Sequence, residues 1–228
     1  MLDRYKKNIT TLSIDENEKL KDYTVCVVGS GGLGGYAVEM LGRLGIGHII
    51  VVDYDVFDES NLNRQILSDN KSLGFKKAII AKNRMADVNP LVKVDAIVEK
   101  FTSLNGRNIL KDVNIVVDAL DNMETRLTLE EICEELNIPM VHGSIAGWYG
   151  QVTTVLPGDK TLSRFYAGKP LKGIEDKLGN PSFTPALVAS IQVSEIVKLL
   201  IGRGEILSKK MLFIDTLMQE YEVVKLFD

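Results

Sequence analysis

The chain has little of the residues that most often mark metal and thiol chemistry. It holds two cysteines and two histidines among 228 residues, and no C-x-x-C pair, so a zinc knot is excluded. Cys26 falls inside an apolar run and Cys133 is in helical phase with Leu129 and Leu136, so both read as buried packing residues. His48 and His142 are far apart, one preceding a strand and one ending a strand, and each reads as a structural histidine. No apolar run nears 20 residues, which argues against a membrane span. Positive charge is not in excess: the net charge is −4 and the pI about 5.4, which speaks against nucleic acid or an anionic membrane as partner. The stretch MLDRYKKNITTLS lacks the apolar core of a signal peptide, so a cytoplasmic location is expected. What remains is 45% hydrophobic and 25% charged, with length for one sizeable core.

The stretch that organises the chain runs from Val25 to Gln65. An apolar run, Val25 to Val28, meets the cluster Gly29-Ser30-Gly31-Gly32-Leu33-Gly34-Gly35. A segment of helical period follows, with Ala37, Met40, Leu41 and Leu44 apolar, and then a second apolar run from His48 to Val52 that ends in Asp53. Strand, tight turn, helix and strand, with the G-x-G-x-x-G spacing at Gly29, Gly31 and Gly34 and an acid about 20 residues on, is a nucleotide-binding arrangement. Glycines let the backbone approach phosphate oxygens, and a helix N-terminus offers free N–H groups. Asp53 can accept hydrogen bonds from ribose hydroxyls.

Residues 1–22 form an N-terminal arm, in which Ser13 and Glu16 spell a capping box for a helix over Ile14 to Leu20. Residues 23–228 read as one domain. The pattern predicts a helix over Gly74 to Asp87, strands over Val92 to Val98 and Val113 to Asp118, a helix over Asn122 to Asn137 and a strand over Ile138 to His142. This alternation gives an α/β fold: a doubly wound, mostly parallel, Rossmann-like sheet covered on both faces. Tyr149 to Leu156 then alternates with period two, as an antiparallel strand does. Residues 157–182, rich in Pro and Gly, form a long crossover loop expected to be mobile. A long helix follows to Ile201, with Pro185 at its first position, and Met211 to Ile214 and Tyr221 to Leu226 close an antiparallel extension.

Ligands of such sheets sit at the carboxyl ends of the strands. Four clusters should converge there: Gly29 to Gly34, Asp53 to Asp55, Asn61-x-x-Arg64-Gln65 and Asp118-x-x-Asp121-Asn122, with Lys77 beside them. Taken singly, Arg64 reads as a surface cation, Lys77 as a solvated face and Asp121 as a helix N-cap. Together they suit a triphosphate better than a nicotinamide dinucleotide: Arg64 and Lys77 neutralise β- and γ-phosphates, Asn61 positions the α-phosphate, and Asp121 holds Mg²⁺.

In this order, Arg4-Tyr5, the glycine turn with Gly32, Asp53-x-Asp55, Ser60-Asn61-Leu62-Asn63-Arg64-Gln65, Gly74-x-x-Lys77, Asn89-Pro90 and Asp118-Ala-Leu-Asp121-Asn122-x-x-x-Arg126 resemble the ThiF/MoeB/HesA family, bacterial relatives of ubiquitin-activating enzymes. The resemblance extends to Gly150-Gln151 and the late helix from Leu187 to Ile201. It implies an ATP- and Mg²⁺-dependent adenylyltransferase. The terminal carboxylate of a small ubiquitin-like sulfur-carrier protein, ending in Gly-Gly, attacks the α-phosphate, and pyrophosphate leaves. Asp53 is then the ribose ligand, with Asp55 beside it. Asn61, Arg64, Gln65 and Lys77 are the phosphate-side residues, and Asp121, next to Asn122, is the magnesium ligand. The resemblance also implies a homodimer in which the arm, with Arg4 and Lys7, completes the neighbouring site, and a crossover loop that clamps the carrier's tail. The pathway, thiamine or molybdopterin biosynthesis among others, stays open.

Two departures stand out. Lys7 occupies the place of an arginine usual in the family, which keeps the charge and loses the bidentate fork. No cysteine follows Cys133, so neither a zinc knot nor a covalent carrier adduct on the loop is available. Two other readings are therefore carried: a tRNA threonylcarbamoyladenosine dehydratase, which the acidic pI disfavours, and a catalytically weak nucleotide-binding scaffold for a carrier protein.

Overall fold

The computed structural model describes residues 3–168 and 175–227. Residues 169–174, within the expected crossover loop, lie outside them. Eight strands form one sheet: β1 (Thr24–Val28), β2 (His48–Val52), β3 (Lys93–Ile97), β4 (Ile115–Asp118), β5 (Met140–Ala146), β6 (Tyr149–Val155), β7 (Lys210–Asp215) and β8 (Glu220–Lys225). Their order is β3-β2-β1-β4-β5-β6-β7-β8. Pairs among β3, β2, β1, β4 and β5 are parallel, and those from β5 through β8 are antiparallel. The mostly parallel doubly wound sheet with an antiparallel extension is therefore the observed fold.

The helices are α1 (Ile14–Lys19), α2 (Gly32–Leu44), α3 (Lys77–Val88), α4 (Gly106–Leu110), α5 (Met123–Glu135), α6 (Thr161–Phe165), α7 (Glu175–Leu178) and α8 (Phe183–Ile201). Strand residues alternate between two cores. Val25, Val27, Ile49, Val51, Ile115, Val117 and Val141 face a core shared with α2, α3 and α8. Cys26, Val28, Val52, Val116 and Met140 face a second core shared with α4 and α5, which includes Cys133. Burial on both faces is why these strands read as continuous apolar runs instead of alternating ones.

Several boundaries differ from expectation. The helix expected from Gly74 begins at Lys77, because the backbone N–H groups of Gly74 and Lys77 are tied to the carbonyls of Phe57 and Asp55. Asn122, not Asp121, caps α5, accepting from the Thr125 N–H at 2.9 Å. Ser182 precedes α8 and Pro185 is its third residue; every first-turn N–H lacks an intrahelical acceptor, so proline is tolerated there too. His142 sits inside β5 and does not end it. The crossover stretch carries α6 and α7, and Glu130 of α5 accepts the N–H groups of Leu162 and Ser163 at 2.6 and 2.8 Å. The arm's capping box is present, and Leu12 and Leu20 enter the larger core.

One helix, α8, has the length and apolar composition of a membrane span among the described residues, which reading by uninterrupted runs did not flag. It packs on α2, β5 and β6. Two of its polar interruptions point inward: Gln192 donates to the carbonyls of Asp118 and Val141, and Glu195 accepts from Thr154 Oγ1 and the Leu207 N–H.

Two contacts fix α2. A side chain at Gly34 would put its Cβ 1.8 Å from the Gly29 carbonyl oxygen, and Gly29 itself has φ +91°. Farther along, Glu39 accepts from Arg43 (2.9 and 2.6 Å) and from Arg84 of α3 (3.1 and 3.0 Å). Burial pushes the Glu39 carboxyl up, but the hydrogen bonds and charges of Arg84 and Arg43 outweigh it and hold the group below its ordinary value of 4.5.

Gly34→Ala is expected to cost about 1–3 kcal/mol of unfolding free energy by overpacking, and to weaken nucleotide binding, read by urea denaturation and calorimetry. Glu39→Gln is expected to lose about 1–2 kcal/mol at neutral pH, toward the low end because Arg43 and Arg84 are half exposed to screening solvent. Folding lowers this carboxyl's pKa, so its contribution is complete above the unfolded value and disappears as pH falls through the folded one. The stability difference between wild type and Glu39→Gln should therefore close in acid.

Candidate active site

Register brings the chemistry together. Val28 pairs with Val52 on one side and with Asp118 on the other, so β1, β2 and β4 end at one level. The residues that follow, Gly29, Asp53 and Ala119, leave the sheet together, where the strand order reverses about β1. A cavity of about 710 Å³ opens there.

Gly29, Gly31 and Gly32 line it at the start of α2. That start has no side-chain cap and no acid in its first turn, so its N–H groups and the positive end of its dipole are free for an anion. The start of α3 is likewise without a side-chain cap, and it carries a cation, Lys77, where a helix dipole favours an acid. The Lys77 side chain is only 8% exposed; its Nζ lies 3.1 Å from Asp55 Oδ2 and 5.9 Å from the centre of the Phe57 ring. Arg64 donates from Nη1 to the Ser60 carbonyl at 2.8 Å and to Asn63 Oδ1 at 3.0 Å, and makes no ion pair among the described residues. Gln65 lines the cavity with a buried, unpartnered Oε1.

The acids face these cations. Asp53 Oδ2 accepts from the Ser30 N–H at 2.7 Å and hydroxyl at 3.1 Å, and Oδ1 accepts from the Asp55 N–H at 2.8 Å. The carboxylate is thus fixed in orientation and retains free lone pairs. Asp121 is exposed at the cavity, bonded only to its neighbour Asn122 at 3.4 Å, and Asn122 also lines the cavity. The charges of Asp55, Asp121 and Asp53 and partial burial push the Tyr54 phenol up, with Asp55 the largest influence. Among the described residues no cluster of three metal-ligating side chains exists. A single open carboxylate fits Mg²⁺, which keeps waters and takes its remaining ligands from phosphate oxygens.

Other expected site residues lie elsewhere. Gly34 does not line the cavity; it lets α2 press onto the Gly29 carbonyl. Asn61 is buried and turned back, its Oδ1 accepting from the Asp58 N–H at 3.2 Å, so it braces the turn before Arg64 and does not reach the cavity. Asp118 is fully buried behind the site. Arg4 donates to Asn89 Oδ1, and Tyr5 packs against Gly45, both beyond the amino ends of β2 and β3, so neither Arg4 nor Lys7 lines the cavity of its own chain.

The cavity also holds residues to which sequence reasoning assigned no role. Val28, Val52, Phe101, Leu120 and Met123 give it an apolar slot, and Lys100 stands at its edge. Beyond β4 it continues past Arg126, Ser144, Gln151 and Tyr166 to an acidic rim of Asp215, Glu220 and Glu222. Arg126, four residues after Asn122 and on its helical face, and Gln151 both stand in the motifs that carry the family resemblance. The hairpin residues have no such signal, because only the pairing of β6 with β7 carries them to the site. Burial pushes both thiols up, Cys26 also through the neighbouring Cys133, and leaves them inert.

The sequence model of the ThiF family matches residues 5–228. The SAMP-activating enzyme E1 of Haloferax volcanii is 34% identical over 228 residues, 98% of this chain and 84% of that protein. The sulfur carrier protein adenylyltransferase of Thermus thermophilus is 34% identical over 227 residues, 95% of this chain and 84% of that protein. The probable molybdopterin-synthase adenylyltransferase of Porphyra purpurea is 31% identical over 230 residues, and there this chain spans 60% of the relative's length. In fold, E. coli MccB crystallised with ATP superposes with a TM-score of 0.82 over 99% of this chain and 71% of that one, at 21% identity. With the family matched over residues 5–228 and such relatives at a third of residues identical, the chain belongs to the ThiF family.

Proposed function

We propose that the chain adenylylates the C-terminal carboxylate of a small ubiquitin-like sulfur-carrier protein, using ATP and Mg²⁺ and releasing pyrophosphate. The observation that carries this reading is the pairing of two cations, Arg64 without an ion pair among the described residues and Lys77 held by Asp55, with an uncapped glycine turn on one side and an open carboxylate, Asp121, on the other. A redox dinucleotide needs the turn and Asp53 but not that charge around one phosphate tail. The names of the Haloferax and Thermus relatives point the same way.

The step itself needs no nucleophile from this chain. A carboxylate oxygen of the carrier attacks the α-phosphorus, an acyl–phosphate bond forms, and the bond to the bridging oxygen breaks, so that pyrophosphate departs with its charge. The apolar slot holds the adenine, Asp53 the ribose, and the α2 N-terminus the phosphates. Lys77 exchanges Asp55 for phosphate oxygens, and Arg64 joins it to neutralise the leaving group. Asp121 holds the metal, whose contribution when bound is Lewis-acid polarisation of the phosphates. Asp215, Glu220 and Glu222 lie at the far end, where the carrier's tail enters.

The arm sits at the amino end of the sheet and the cavity at the carboxyl end, so Arg4 and Lys7 reach a site only in a second copy of the chain. This favours a homodimer that shares its sites.

ATP–pyrophosphate exchange in the presence and absence of a Gly-Gly-ended ubiquitin-like protein tests the reading. Exchange is expected only with the carrier, and Asp121→Ala and Lys77→Ala should each slow it about 10²–10³-fold with unchanged thermal unfolding. Nucleotide binding with no exchange under any condition would favour the scaffold reading, and tRNA-stimulated turnover the dehydratase. If the arm acts in the neighbouring subunit, mixing Lys7→Ala with Lys77→Ala should restore activity that neither has alone.

A further inference from the structure

A buried ionic group lies between β4, β5 and α5, and the chemistry above does not use it. Asp118 is fully buried. Its Oδ2 accepts from His142 Nδ1 at 2.6 Å and lies 3.6 Å from Arg126 Nε, while Oδ1 accepts from the Leu120 N–H at 3.1 Å. Burial pushes this carboxyl up, but the Arg126 charge and the His142 hydrogen bond prevail and hold it below the usual carboxylate range. Burial pushes the imidazole down against the pull of Asp118. His142 is then neutral with its proton on Nδ1, since an ionised carboxylate only accepts, and its Nε2 remains a sealed acceptor with no partner.

Apolar residues of similar volume would hold a core at least as well as such a buried ionic group. The reason for its presence lies in what it aims. Arg126 is 8% exposed. Its Nη2 donates to the Leu120 carbonyl and, at 3.3 Å, to that of Gly143. Nη1 makes no hydrogen bond among the described residues, is not sealed from solvent, and belongs to a residue that lines the cavity. Nε is buried without a hydrogen bond, 3.6 Å from Asp118, so Nη1, with two N–H donors, is the nitrogen left for the cavity that Arg126 lines beside β4 and β5. Sheet order puts this on the other side of β1 from Asp53, where the nucleotide half meets Ser144 and Gln151 on the way to the acidic rim.

Resting on the function proposed above, we propose that Arg126 receives the carrier's terminal carboxylate, and that Asp118 and His142 are positioning residues that aim it. A single free nitrogen grips one carboxylate oxygen and leaves the other to attack. It also offsets the repulsion between a carboxylate and a triphosphate brought into one cavity.

The test uses the full chain loaded with magnesium and a non-hydrolysable ATP analogue, titrated with a synthetic peptide ending in Gly-Gly, as free acid and as C-terminal amide. Wild type is expected to bind the acid about tenfold more tightly than the amide, the worth of one charge-assisted hydrogen bond. Arg126→Gln should bring acid and amide to parity without changing affinity for the analogue. Arg126→Lys, which keeps the charge and fits more readily if the glutamine variant does not fold, should retain part of the preference. Asp118→Asn should reduce the preference when Arg126 is present and have no effect on it in Arg126→Gln; a purely structural Asp118 would lower Tm and leave the ratio alone. A preference that survives intact in Arg126→Gln or Arg126→Lys, or analogue affinity that falls with it, overturns the assignment to Arg126 alone. Equal binding of acid and amide by wild type overturns it together with the proposed function, which carrier-dependent pyrophosphate exchange tests separately.

Discussion

The structure depends on one close approach: the carbonyl of Gly29 occupies the space that any side chain at position 34 would need. That contact presses the first turn of α2 onto the end of β1. A side chain at Gly29 would in turn strike the Ala119 carbonyl at 2.6 Å, so the exit of β4 is held against the same turn. Strand register brings Asp53 to the same level. A helix start, a ribose-sized acid and the segment leading to Asp121 are thus placed by backbone packing before any ligand arrives, which is what pre-organisation means in energetic terms.

Around that frame the chain accepts local costs that stability alone would not select. Lys77 is a nearly buried ammonium at the positive end of a helix dipole, held there by Asp55. Three carboxylate charges act on the Tyr54 phenol. Arg64 has no counter-ion among the described residues. Each arrangement is unfavourable in isolation and becomes favourable once a polyanion and a divalent cation are present together. Two large apolar cores on either side of the sheet supply the surplus that keeps these groups in place.

Local signals carried much of this in the sequence. The turn, the capping box at Ser13 and the buried strands follow from residue type and spacing, and with them the nucleotide half of the cavity; the cap of α5 falls one residue after the Asp121 that spacing suggested. Spacing also misled. Asn61 belongs to a recognisable segment, yet its amide is used to close a turn at Asp58, because a side chain one turn from Arg64 can brace the loop as easily as face the ligand. Asp118 shares a motif with Asp121, but period-two alternation along β4 sends its side chain under α5. The part of the cavity made by Phe213 and Glu222 was illegible because long-range antiparallel pairing, not any local pattern, brings it there. The helix α8 escaped a search for apolar runs because polar residues interrupt it, and two of them are spent inside the protein, on Asp118, Val141 and Thr154.

Both thiols of this chain are shut in the second core. A mixed anhydride formed in the cavity consequently has no local thiol to fall onto. Its fate is a race between a visiting acceptor and water, and any shielding has to come from the cavity walls and the segment that Glu130 tethers above α5. The same burial shields both thiols from alkylating reagents. Any sensitivity of the complete pathway to such agents would then trace to whichever protein comes next.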